Sequence, residues 1–229
     1  GVYNNSEVWI NGTYLGKRPN GYVSFQYDIT PFLKPGKQNL VAVKVDHTLA
    51  GDSRWYTGSG IYRNVKLILT APVHFNQWGI FYTTPDISKE KAKLVVNANL
   101  LNETSKAFDG EVINYIVYGK DTAGSGTMKI HLEPSSERTI KQEIEIIRPK
   151  LWDVDNPNLY TLVTVLKDRK IIDNVTTPVG FRIIRFDADK GFFLNGRNIK
   201  LKGICMHHDA GVLGAAVPRE EIARRLDIL

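Results

Sequence analysis

The chain has 229 residues, of which 42% are hydrophobic and 24% charged, enough apolar material for one large domain or two small ones, each with a core. Its 30 Lys and Arg exceed its 24 Asp and Glu, for a formal charge of +6, but the basic residues are scattered and form no stripe, which argues against a nucleic-acid face. No apolar run approaches the ~20 residues that span a bilayer, the first residues carry no basic-then-apolar leader, and the lone Cys205 excludes an internal disulfide.

Short alternating strands broken by turn residues dominate. Val8-Trp9-Ile10 runs into Asn11-Gly12, a strong hairpin signal. Tyr22 to Ile29 alternates, with Phe25, Tyr27 and Ile29 on one face, and Leu40 to Val45 alternates again. Asn64 to Leu69 reads as the strand that closes this first block, which has too few strands for a closed sandwich. Pro72 then marks a boundary.

The second block predicts strands at Trp78–Thr83, Ala92–Leu101, Glu111–Tyr118, Thr139–Ile146, Tyr160–Lys167 and Lys170–Val179. Asp109-Gly110, Gly124-Ser125-Gly126 and Asn156-Pro157-Asn158 read as the turns between them. About seven strands in such a stretch is the spacing of an immunoglobulin-like sandwich without the usual cysteine pair.

From Arg185 the pattern changes. Phe192-Phe193-Leu194, Asn195-Gly196 and Arg197–Lys200 predict another hairpin, and Lys200–Met206 an extended run. After the Gly- and Ala-rich stretch Ala210–Val217, Pro218 opens the one convincing helix. Glu220 and Glu221 suit its N-terminal dipole, and Ile222, Leu226 and Leu229 make one apolar face. A strand, a loop and a helix after two β-domains read as the first βα element of a truncated barrel.

Four ordered stretches resemble glycoside hydrolase family 2, the β-galactosidases, β-glucuronidases and β-mannosidases. They are Val8–Gly12 with Leu15-Gly16, Gly21-Tyr22, Phe25 and Asp28–Thr30; Ser53–Arg63, whose Trp55 and Gly58-Ser59-Gly60-Ile61-Tyr62-Arg63 are the most specific; Leu151-Trp152 with Asn156-Pro157 and Leu159-Tyr160; and Gly180–Arg182, Phe193–Gly196, Lys202-Gly203 and Met206–Asp209. The resemblance implies a mainly β chain in three parts: residues 1–71, the later part of a sugar-binding jelly-roll; 72–184, the immunoglobulin-like β-sandwich; and 185–229, the start of a catalytic TIM barrel.

It also implies a retaining exo-β-glycosidase acting on terminal β-linked sugars, a β-galactosidase first and a β-glucuronidase as the alternative. In the family both catalytic carboxyls are glutamates on later barrel strands, so no catalytic residue is assigned here and this chain by itself is expected to be inactive. The rival from another class is a non-catalytic carbohydrate-binding module. The implied partner is a carbohydrate substrate, with no nucleic acid and no membrane. No cofactor or metal is called for, and homo-oligomerisation of the full-length enzyme and its compartment stay open.

Four residues are the candidate substrate-binding set. By resemblance His207 is the substrate-binding histidine at the end of the first barrel strand, where an imidazole can bond a sugar hydroxyl; the alternative is a structural histidine under the loop. The family pattern has Asn-Arg ahead of this histidine, whereas this chain has Cys205-Met206. Asp52, Arg54 and Trp55 lie in a loop that in the family helps enclose the sugar; the alternative is a packed loop anchored by Trp55. A metal site of His207, His208 and Asp209 is disfavoured because adjacent side chains on a strand point apart, and a Cys205–His207 nucleophile pair lacks an orienting third group. Trp9, Trp78 and Trp152 are expected in cores or domain junctions, and Gly58, Gly60 and Arg63 in structural roles.

Overall fold

The computed structural model describes residues 1–48 and 56–229. It contains two compact units, Gly1–Leu67 together with Gly203–Leu229, and Ile68–Lys202.

The first unit holds β1 (Val2–Tyr3), β2 (Ser6–Ile10), β3 (Thr13–Arg18), β4 (Val41–Lys44) and β5 (Gly60–Ile61). β2 is the centre of an antiparallel sheet ordered β3-β2-β4, and its burial alternates: Ser6, Val8 and Ile10 are buried, Glu7 and Trp9 half-buried. Asn11 (φ 51°) and Gly12 (φ 87°) supply the left-handed pair that a two-residue hairpin needs, as their sequence predicts. The Asn11 side chain also donates to the Phe32 carbonyl at 2.9 Å and accepts from the Leu40 amide at 3.0 Å, tying the hairpin tip to the segment that leads into β4.

Two expected strands of this unit are not strands. Tyr22–Ile29 keeps its alternation, with Phe25, Tyr27 and Ile29 half-buried and Ser24, Gln26 and Asp28 exposed, but makes no ladder. Asn64–Leu69 is likewise irregular, with Val65, Leu67 and Leu69 exposed. Alternation reports which side a chain buries, whereas a strand also needs a hydrogen-bonded neighbour, and none of the described segments pairs with either.

The second unit is a sandwich of seven long strands: β6 (Val73–Thr83), β7 (Lys91–Asn102), β8 (Phe108–Tyr118), β9 (Asp121–Leu132), β10 (Ser136–Ile147), β11 (Tyr160–Lys167) and β12 (Ile171–Val179). One sheet is ordered β10-β7-β6 and the other β12-β11-β8-β9, with every pairing antiparallel. β9 corrects the sequence reading, which took Gly124-Ser125-Gly126 for a turn. Those glycines lie within the strand because it crosses β10 closely: a β-carbon on Gly124 would stand 3.1 Å from the Glu145 carbonyl and from Ile144 Cγ2. Asp109-Gly110, also read as a turn, falls inside β8.

The core has two apolar layers. Leu94, Val96, Ile116, Ile144, Leu162 and Phe181 belong to one, and Ala98, Leu100, Val112, Ile130, Ile140 and Leu166 to the other. Burying each such Leu or Ile side chain contributes about 1.5–3 kcal/mol. Between the layers lies a polar seam. Asn114 sits between Val112 and Ile116 on β8, Gln142 between Ile140 and Ile144 on β10, and Thr164 between Leu162 and Leu166 on β11. The Asn114 amide donates to Gln142 Oε1, the Thr164 hydroxyl donates to Asn114 Oδ1 at 2.6 Å, and the Gln142 amide donates to the Val112 carbonyl at 3.5 Å.

Trp78 departs from the core expectation. Four residues of β6, Asn76–Gly79, bulge out opposite the single Asn99 of β7, and Trp78 takes φ 55° there and stays 65% exposed. The unit ends in a small sheet of β13 (Ile184–Asp187), β14 (Gly191–Leu194) and β15 (Arg197–Asn198), joined by the expected Asn195-Gly196 turn (φ 50° and 82°). Asn195 pins that turn by donating to the Trp152 carbonyl at 2.9 Å and accepting from the Ile183 amide at 2.9 Å.

Beyond Lys202 the chain rejoins the first unit. The helix expected after Pro218 is α1 (Arg219–Ile228), with Pro218 at its N-cap. Among the described residues no helix is long and apolar enough to cross a membrane.

Candidate functional site

The candidate site lies in the first unit, where residues distant in sequence meet around the segment 203–216. β1 pairs with β5 in the register Val2↔Ile61 and Tyr3↔Gly60, which fixes the Gly58–Tyr62 stretch beside the N-terminal strand. Gly58 (φ 71°) and Gly60 (φ 110°) take backbone conformations that favour glycine, the structural role expected of them. The partly buried Tyr62 hydroxyl, its pKa raised by desolvation, donates to the Gly21 carbonyl at 2.9 Å. The Arg63 guanidinium lies 5.1 Å from the Tyr62 ring centroid and donates to the Tyr22 carbonyl at 3.5 Å.

A chain of ring contacts leads from this stretch to the histidines. The Ser59 hydroxyl and His47 Nδ1 are 2.7 Å apart. The His47 ring meets Tyr3 edge-on at 4.9 Å, Tyr3 meets Tyr22 at 5.3 Å, and Tyr22 meets His208 at 5.6 Å and 88°. Gly21 permits this packing, because a β-carbon there would overlap the Tyr3 ring. Asp46, beside His47, accepts from the Thr48 hydroxyl at 2.6 Å and its amide at 3.1 Å, and these bonds lower its pKa.

His207 is exposed and His208 half-buried, in a segment with no regular structure. Residues 200–206 make no ladder here, because a parallel barrel strand exists only through its flanking strands and no described segment flanks them. Asp52, Arg54 and Trp55 lie outside the described residues. Tyr56, the chain neighbour of Trp55, is described, and it packs against Gly214. Among the described residues no group of three or more His, Cys, Asp or Glu side chains is placed to hold a metal ion.

α1 fixes the far edge of the segment. Arg225 donates from Nη1 to the Asp209 carbonyl at 3.0 Å and from Nε to Glu221 at 3.0 Å, while Arg224 Nε donates to Glu221 at 2.8 Å. Sequence reasoning missed Tyr3, Tyr22, His47 and Arg225 as parts of this arrangement. Tyr3, His47 and Arg225 carry no local motif and Tyr22 is read only within the Gly21-Tyr22 family match; the pairing of β1 with β5 and the return of the chain after Lys202 bring them to one place.

The family model for the sugar binding domain of glycosyl hydrolases family 2 matches residues 1–72, and the family 2 model that follows it matches residues 74–182. The chain belongs to glycoside hydrolase family 2. A β-galactosidase of Bacteroides ovatus is 46% identical over all of this chain, which covers 27% of that protein. A β-glucuronidase of Bacteroides fragilis is 31% identical over 95% of the chain and 33% of its own length. Among solved structures, a family 2 member from Bacteroides cellulosilyticus superposes with a TM-score of 0.93 at 37% identity, over 100% of this chain and 32% of that one. A β-glucuronidase from Bacteroides uniformis gives 0.90 at 31% identity, over 99% and 29%. The chain thus spans about a quarter to a third of these relatives.

Proposed function

We propose that this chain is the substrate-enclosing front section of a retaining exo-β-glycosidase of the family, acting on terminal β-linked galactosides. Its 46% identity to the Bacteroides ovatus β-galactosidase across its whole length supports that sugar. The observation that carries the site reading is the pairing of distant segments around residues 203–216, through Tyr22 with His208 and Tyr56 with Gly214. Tyr56, the neighbour of Trp55, lies against Gly214, and His47 is linked to His208 through Tyr3 and Tyr22.

In this reading His207 bonds a hydroxyl of the terminal sugar, and Asp52, Arg54 and Trp55 close over the same ring. The domain plan is 1–71 as the end of the sugar-binding domain, 72–184 as the sandwich and 185–229 as the start of the barrel. The chain alone orients a sugar but supplies no nucleophile or acid/base pair, so the isolated 229-residue chain turns over no aryl glycoside. A β-glucuronidase is the second reading, favoured by the name of the Bacteroides fragilis relative. A panel of aryl β-glycosides offered to the full-length enzyme tests both: the galactoside is expected to have the highest kcat/KM, and preference for the glucuronide would replace the first reading with the second. No turnover of any member would leave the carbohydrate-binding module as the surviving account.

A further inference from the structure

His207 and His208 are neighbours in the chain with different surroundings: His207 is exposed and His208 half-buried. His208 lies against Tyr22, whose ring it meets at 5.6 Å and 88°. Tyr22 is itself fixed from several sides. Its amide donates to Asn20 Oδ1 at 2.8 Å, its carbonyl accepts from Arg63 at 3.5 Å, and its ring meets Tyr3 at 5.3 Å. Tyr3 belongs to β1, which is paired with β5. The ring that meets His208 is therefore tied to a strand ladder, whereas residues 203–208 lie in no ladder of their own.

Such a segment takes its position from contacts made to it by other elements. The Asp209 carbonyl accepts from Arg225 at 3.0 Å, and the Ala210 amide donates to the Gly214 carbonyl at 3.0 Å. Both of these hold backbone. The Tyr22 contact lies closer to His207 along the chain and holds a side chain. A hydrogen bond to a sugar hydroxyl is directional, and a misplacement of about 1 Å can cost about 100-fold in rate. A histidine that bonds substrate from an irregular segment thus depends on what fixes the residue beside it.

We propose that Tyr22 is a positioning residue for His207, acting through the ring of His208. The proposal rests on the glycosidase reading and adds to it a residue that works on the substrate only through another.

Two arms test it. In the full-length enzyme with 4-nitrophenyl β-D-galactopyranoside, Tyr22→Ala and His208→Ala are each expected to lower kcat/KM about 10-fold, and Tyr22→Phe, which keeps the ring, to stay within about twofold of wild type. In a His207→Ala background, Tyr22→Ala is expected to cost less than about twofold more, because the residue being positioned is gone. Wild-type kcat/KM in Tyr22→Ala or His208→Ala, a loss in Tyr22→Phe as large as in Tyr22→Ala, or a full further loss in the His207→Ala background would each overturn the proposal. The second arm needs no turnover: the imidazole signals of His207 are followed by nuclear magnetic resonance in the 229-residue chain. Tyr22→Ala is expected to shift and broaden them and Tyr22→Phe to leave them in place, with the signals of the sandwich unchanged in both. His207 signals that ignore Tyr22→Ala would overturn the proposal too. Should Tyr22→Ala not fold, His208→Ala removes the same contact and carries both arms. A wild-type enzyme without turnover would sink the glycosidase reading, and the second arm would still decide whether Tyr22 positions His207.

Discussion

Arg225 reaches from α1 to the carbonyl of Asp209 at 3.0 Å, so the helix and the histidine segment are held by one guanidinium. The same guanidinium is oriented by Glu221, whose pKa is lowered from 4.5 to about 2, first by the hydrogen bond from Arg224 and then by that from Arg225. The folded value lies below the unfolded one, so this contribution is complete above about pH 4.5 and is lost as the pH falls towards 2. Between those limits the amide signals of α1 and of Asp209 and Ala210 are expected to move together. Glu221→Gln should show the shifted positions already at neutral pH. Signals at Asp209 that ignore the titration of Glu221 would break the link.

The polar seam of the sandwich gives a second prediction. Asn114 is the only one of its three residues bonded to both others. Asn114→Ala strands the Thr164 hydroxyl and the Gln142 carbonyl oxygen in a buried place and is expected to cost about 2–4 kcal/mol in urea unfolding. Replacing all three by apolar residues of similar size should cost less than Asn114→Ala alone, because nothing is then left unpaired. A triple variant less stable than the single one would show that the seam contributes net stability.

β9 gives a third. Gly124→Val places a branched side chain where even a β-carbon would stand 3.1 Å from the Glu145 carbonyl and Ile144 Cγ2. Overpacking of this kind costs about 1–3 kcal/mol. Gly119→Ala is the contrast, at a turn with nothing within 4 Å but with φ 63°, and is expected to cost about 1 kcal/mol from backbone strain alone. Equal costs at the two positions would refute the packing argument.

A fourth concerns the loop before Tyr56. In the full-length enzyme Asp52→Ala is expected to lower kcat/KM about 10- to 100-fold through lost bonds to sugar hydroxyls, with the thermal midpoint unchanged. A fall in the midpoint with unchanged kcat/KM would return Asp52 to a structural role.

The hairpins were legible because Asn11-Gly12 and Asn195-Gly196 encode their own left-handed backbone. Six of the seven sandwich strands were legible from alternation. The seventh, β9, was hidden because its glycines answer to a neighbouring sheet that no local window contains. Tyr22–Ile29 and Asn64–Leu69 failed the other way: their alternation is genuine, but pairing is a property of a partner and not of the segment. The residue type of Trp78 points to a core or a domain junction, and the four-residue bulge of β6 turns it out of the sandwich core. At the candidate site the motif around Gly58–Arg63 and His207 could be read along the chain. The ring contacts from His47 to His208 could not, since each partner lies in a different segment.

The most direct test of the glycosidase account is kcat/KM for 4-nitrophenyl β-D-galactopyranoside, measured on the full-length enzyme and on its His207→Ala variant. The account predicts turnover by the wild type and a loss of about 100-fold or more in the variant, with the fold intact. A His207→Ala enzyme that keeps the wild-type kcat/KM would contradict it.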